Sequence, residues 1–169
     1  MASELHVDAI KHSGGTSALT INSSGHVHSA GHIIQVKEST ITTQISTTST
    51  SLGATGHIVS ITPKFANSKL IISLSGGEQT YSGSGIIVGH INLFREKPGV
   101  AYDDIGQITE NTIGGDIYGA THGAEFVDTT HNTTGTINYQ TYIKTGSGKT
   151  YYYNYAPSYC VFKVMEVAQ

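Results

Sequence analysis

The chain has no tryptophan, one cysteine, three prolines and little charge. Asp, Glu, Lys and Arg make up 12% of its 169 residues, against roughly 25% in an ordinary globular chain. Each shortage excludes something. A single cysteine forms neither an internal disulfide nor a cysteine-based zinc cluster. Nine Lys and Arg against twelve Asp and Glu, a net charge of −3, leave no dense basic face to neutralise phosphates, so no nucleic-acid partner is expected. No run of ~18 apolar residues is present, so no transmembrane helix and no membrane insertion are expected. No basic stretch followed by an apolar one opens the sequence, so no signal peptide is expected. Disorder is also disfavoured, because disordered chains are charge-rich.

Gly, Ser and Thr fill the space. They number 20, 18 and 22, together 60 of 169 residues. β-branched residues are dense, apolar residues rarely recur at helical spacing, and turn-forming clusters interrupt every ten residues or so. That pattern predicts an all-β protein. Strands are expected over 33–38, 41–50, 57–62, 69–75, 86–95, 124–130, 135–145, 150–155 and 159–167. Nine short strands suit a two-sheet, jelly-roll-like β-sandwich. Residues 39–51, with 10 Ser or Thr in 13 positions, read as an edge or interchain strand, since Thr is a good strand former; a low-complexity linker is the alternative.

The first 32 residues differ from the rest. Asn22-Ser23-Ser24-Gly25 fits a type I turn closed by a left-handed glycine, so residues 18–22 and 26–29 form a short hairpin. In that register Leu19, Ile21 and Val27 share an apolar face. Two strands bury too little to be stable alone, and nothing nearby in sequence offers them a core. Identical segments of neighbouring chains would. The division expected is therefore a short stalk over 1–32, in which neighbouring chains wrap together, and a β-sandwich head over 33–169.

The stretch from Ile10 through Lys11-His12-Ser13-Gly14-Gly15-Thr16 to Gly25 resembles a segment common in tail fibres and other fibrous structural proteins of tailed bacteriophages, notably of marine hosts. Gly56-His57-Ile58-Val59-Ser60-Ile61-Thr62-Pro63 followed by Ser68-Lys69-Leu70-Ile71-Ile72 resembles a strand pair of such fibre heads. Phe126-Val127-Asp128 with Thr136-Ile137-Asn138-Tyr139 resembles a later hairpin, and Val164-Met165-Glu166-Val167-Ala168 a closing strand. Residues 98–123 have no counterpart in that pattern, and Gly25-His26-Val27 stands where such proteins usually carry Gly-Arg-Val. The resemblance implies a homotrimeric virion fibre. Its N-terminus would join other tail or capsid proteins, and its head would bind a host-surface glycan or protein. A purely structural capsid-surface fibre or tail adaptor is the alternative.

Several motifs invite chemistry. His26-Val27-His28 in three chains would offer six imidazoles, a set that suits iron or another transition metal; alternatively both histidines lie on the polar face with Thr20 and Asn22. The turn register favours the second reading, and no cofactor is expected. The nine histidines are scattered, which reads as ordinary surface use. Residues 145–150, Thr-Gly-Ser-Gly-Lys-Thr, lack the first glycine of a phosphate loop, because Ile143 stands there; a hairpin turn is expected. Asp103, Asp104, Asp116, Glu125 and Asp128 are an ordinary supply of acid, with no nucleophile elbow nearby, so no enzyme is expected. Cys160 reads as a small core residue. Of the tyrosine cluster, alternation sets Tyr151, Tyr153 and Tyr155 against Tyr152, in packing roles. The receptor-binding candidates are Tyr81, Tyr102, Asp103, Asp104, Asp116, Tyr118 and His122, expected in loops outside the resemblance.

Overall fold

The computed structural model describes residues 6–21, 23–82, 85–114, 120–146, 148–155 and 158–169; the side chains of 28, 81, 82, 86, 87, 111, 113 and 114 are outside that description. The described residues form thirteen strands in three antiparallel sheets. Among the described residues, β1 (Ala9–Lys11), β2 (Ser17–Ile21) and β3 (Val27–His28) pair only with one another. Ile21 faces Val27 and Thr20 faces His28, and Gly25 takes φ +77°, as the turn sequence requires.

The head holds β4 (Ile33–Ile41), β5 (Ile45–Thr47), β6 (Gly53–Ile61), β7 (Lys69–Ser82), β8 (Ile86–Lys97), β9 (Val100–Gly114), β10 (Ala120–Asp128), β11 (Ile137–Thr145), β12 (Thr150–Asn154) and β13 (Cys160–Val167). One sheet runs β4-β13-β7, with β10 on the far side of β7; the other runs β6-β11-β8-β9. Apart from the β8–β9 hairpin, successive long strands alternate between these sheets, the connectivity of a jelly-roll sandwich. β12 and β5 extend the first sheet beyond the end of β13.

β7 makes that extension possible. Its first half pairs with β13 up to Gly76, and its second half with β12 from Thr80. Between them Gly76 and Gly77 both take left-handed φ, +69° and +66°. A Cβ on Gly76 would collide with the Tyr159 carbonyl oxygen, which instead accepts from Gly77 N–H at 2.6 Å. Only glycine serves there.

The core lies between the two sheets. β13 shows why: Cys160, Phe162, Val164 and Glu166 are buried while their neighbours are half-buried, the period of two of a strand with one face inward. Leu70, Ile72 and Leu74 of β7 meet Val59 and Ile61 of β6, Ile91 and Leu93 of β8, and Ile137, Tyr139 and Ile143 of β11. Glu166, fully buried, accepts from the backbone N–H of Lys64 and Phe65, the Ser68 hydroxyl and the Gln35 amide at 2.7–3.0 Å. A buried carboxylate is tolerated when so many donors surround it. Those bonds fasten the 62–68 loop across the end of the sandwich.

Each of the nine expected strands has a counterpart, and three expectations need correction. Residues 98–123 are not a loop region: β9 occupies most of the first half and β10 begins at Ala120. Tyr155 does not share a face with Tyr151 and Tyr153. The β12–β5 pairing slips after Tyr152, so Tyr151 and Tyr153 are fully buried while Tyr155 is exposed and packs edge-on against Tyr152. The histidines are not uniformly superficial either. His57, His122 and His131 are buried. Cys160 is buried, as expected, and burial pushes its thiol up to about 11.

Candidate binding face

The outer face of the four-stranded sheet carries an aromatic cluster. In β8 the residues Ile91, Leu93 and Arg95 point inward, so Asn92, Phe94 and Glu96 point outward. In β11 Tyr139, Thr141 and Ile143 point inward, so Asn138 and Tyr142 point outward. The register sets Tyr142 opposite Asn92 and Gln140 opposite Phe94. Phe94 and Tyr142 are then diagonal neighbours, and their rings stack with centroids 3.8 Å apart and planes at 23°. Tyr102 of β9 joins them, its ring 6.4 Å from that of Tyr142. All three rings are half-buried.

Polar groups rim these rings. Asn92 donates to Asp104 at 2.9 Å, and Asp104 also accepts from Gly106 N–H. Asn138 donates to Glu96 at 2.7 Å and accepts from Ser60. Burial, then the charge of Glu96 and then Tyr142, push the Tyr102 hydroxyl above its ordinary value, so it stays a neutral donor and acceptor. Flat apolar rings beside amide and carboxylate groups form a surface that packs on C–H faces and hydrogen-bonds hydroxyls.

Of the expected receptor residues, the structure brings Tyr102 and Asp104 together on this face. They lie in a strand. Asp103, the residue between them, lies opposite Arg95 in the β8–β9 ladder and is exposed. Tyr81 is the next-to-last residue of β7, its side chain outside the description, and Asp116 and Tyr118 lie outside the described residues. His122 is removed from any surface site. It is buried against Tyr153, donating from Nε2 to the Tyr153 carbonyl oxygen at 2.7 Å. Phe94, Tyr142, Asn92, Asn138 and Glu96 escaped the sequence reading. The signal was partial: at a period of two, Phe94 falls on the face opposite Ile91 and Leu93, and Tyr142 on the face opposite Ile137 and Ile143.

Two other groupings of chemical residues are structural in geometry. Asp128 takes four bonds, from Arg95 and the Tyr139 hydroxyl on Oδ2 and from the Thr130 amide and hydroxyl on Oδ1. Burial opposes its ionisation, but these donors outweigh it and hold its carboxyl below the usual range. Ser68, His131 and Glu166 lie together, but Ser68 donates to the glutamate at 2.8 Å and the His131 ring nitrogens face the carbonyl oxygens of Ser68 and Thr133. His131 Nε2 also lies 3.4 Å from the Ser68 hydroxyl, but the shorter contacts of that hydroxyl are to Glu166 and to the Phe65 carbonyl oxygen at 2.9 Å. The His28 side chain is outside the description, and no cluster of three metal-ligating side chains occurs among the described residues.

Neither a family model nor a curated protein sequence matches the chain. Among solved structures, one of the Gt strain of infectious bursal disease virus is 16% identical over 96% of this chain and 43% of that chain, with a TM-score of 0.30. One of the Gx strain is 13% identical over 96% of this chain and 47% of that chain, with a TM-score of 0.23. The chain spans less than half the length of either, and a likeness this distant carries no argument about function.

Proposed function

We propose that the chain is a virion structural protein, a homotrimeric phage tail fibre that adheres to host-surface glycans and carries out no catalysis. The observation that carries this reading is the cluster of Phe94, Tyr142 and Tyr102 rimmed by Asn92, Asp104, Glu96 and Asn138. Rings stack on the apolar faces of sugars, and the rim accepts from and donates to their hydroxyls. The N-terminal sheet supplies assembly and virion attachment. Its apolar residues Leu19, Ile21 and Val27 have no core of their own, so copies of the same segment complete it. A trimer gains affinity from three weak sites through effective concentration. The test is binding of the purified chain to an array of bacterial surface glycans, compared with a Tyr102→Ala/Asp104→Ala variant. Saturable binding that falls at least tenfold in the variant, with an unchanged melting temperature, is expected. Equal binding by both overturns the reading.

A second reading, a structural fibre or adaptor without a receptor, draws on the opposite face of the head. There Val36, Met165, Ile71 and Val127 form one apolar row across β4, β13, β7 and β10, with Val36 and Val127 about half exposed, at 47% and 45%. Such a row suits packing against another virion protein. Antibody labelling of intact particles separates the two readings: label at the tail tip supports adhesion, and label spread over the capsid supports decoration.

A further inference from the structure

A cavity of about 310 Å³ opens between the two sheets at the side where both end in edge strands, β9 and β10. Ile105 and Phe126 make its apolar wall, Val127 lies at its rim, and Arg95, Asp128, Thr129 and Thr130 line its polar side. The size is at the lower end of small-molecule sites.

Its polar wall is one-sided in hydrogen-bonding capacity. Asp128 is saturated by its four donors and has nothing left to offer an incoming N–H. Arg95 is different. It is 8% exposed, and its hydrogen bonds among the described residues both leave from Nη1, to Asp128 at 2.7 Å and to Thr130 at 2.9 Å. Its Nε–H is buried without a partner, an arrangement that costs free energy until an acceptor arrives. The Nε–Nη2 edge of a guanidinium presents two parallel N–H groups, a fork that fits both oxygens of one carboxylate.

We propose that this cavity is a binding site for a small carboxylate with an apolar body. The Nε–Nη2 edge of Arg95 holds the carboxylate, and Ile105 and Phe126 cover the body. Asp128, shared among Arg95, Tyr139 and Thr130, keeps the guanidinium in place without closing that edge. The site goes beyond the adhesion reading and is independent of it, since it lies between the sheets and not on the aromatic face.

The test is NMR titration of the full chain, following the Arg95 Nε–H and the Ile105 and Phe126 resonances. Benzoate is expected to shift all three saturably, benzyl alcohol at least tenfold more weakly, and benzylamine not at all. Glucuronate and N-acetylphenylalanine then distinguish a sugar acid from a peptide C-terminus. Arg95→Lys keeps the charge beside Asp128 but loses the fork, and should weaken benzoate at least tenfold. Should that variant fail to fold, Ile105→Trp fills the cavity, leaves the ion pair intact and should abolish binding. Benzylamine binding as tightly as benzoate, no saturable shift with benzoate, or undiminished binding in Ile105→Trp would each overturn the proposal.

Discussion

The N-terminal sheet and the jelly-roll head share a composition rich in Ser, Thr and Gly, yet they differ in what they bury. In the head, residues such as Leu70, Ile91, Tyr139 and Phe162 are wholly enclosed. In β1–β3 no described side chain is buried: Leu19 and Ile21 reach only half-burial, and Ile10 and Val27 are exposed. The same residue types make a self-sufficient domain where ten strands stack in two layers and an incomplete one where three strands stand alone. A polar composition therefore does not decide stability; the presence of a second layer does. The head should respond to single core changes as an ordinary domain does, and the N-terminal sheet should respond only when copies meet.

The sharpest contrast is a core truncation. Phe162→Ala should destabilise the head by roughly 3–5 kcal/mol, read from chemical denaturation. A loss below about 1 kcal/mol would show that the layers pack more loosely than Phe162, fully enclosed, implies.

Acid comes next, and it also acts on the head. Burial, partly offset by the bond to the Tyr153 carbonyl and reinforced by nearby His57, pulls His122 from 6.5 to about 4. Burial lowers His57 as well, although Tyr153 and the Ser39 carbonyl satisfy both its ring nitrogens. His122 Nδ1 is buried without a partner, so a proton added there finds no acceptor. A folded-state value below the unfolded one means the unfolded chain binds protons first as pH falls. The stability due to neutral His122 is complete above 6.5 and is lost as pH drops towards 4, by about 3 kcal/mol in all. His122→Gln, which can still donate to Tyr153, should flatten the pH dependence of the melting temperature in that window. An unchanged slope would assign the acid response to other groups.

The smallest expected effect lies in the other region. Leu19→Ala should change head unfolding by less than about 0.5 kcal/mol while lowering the sedimenting mass of the full chain from trimer to monomer. A large loss of head stability with the mass unchanged would mean that the sheet docks on its own head.

Where the sequence was legible, one period dominated. β13 alternates without interruption and β11 departs from alternation only at the buried Gln140, and their bounds follow closely from it. The turn before Val27 was equally plain, because Gly25 must be left-handed. β9 was not legible. Its pairing with β8 slips at three places, and Gly106, at φ +139°, sits between Ile105 and Ile108 so that apolar residues recur at an interval of three. Bulges erase the period of two that marks a strand. That loss hid the strand bearing Tyr102 and Asp104, and with it the face they share with Phe94 and Tyr142. The burial of His122 was hidden for another reason. It follows from β10 pairing with β7, a contact between segments some forty residues apart, with a slip beside His122 itself.

The central claim joins the two regions: the N-terminal sheet gathers copies, and the head of each copy grips a sugar. The measurement that tests it most directly is glycan-array binding by the full chain alongside a fragment of residues 31–169, once the fragment's folding is verified by its melting transition. The account predicts that both recognise the same glycans and that the full chain binds at least tenfold more tightly. Equal binding by the two, or no glycan bound by either, would contradict it.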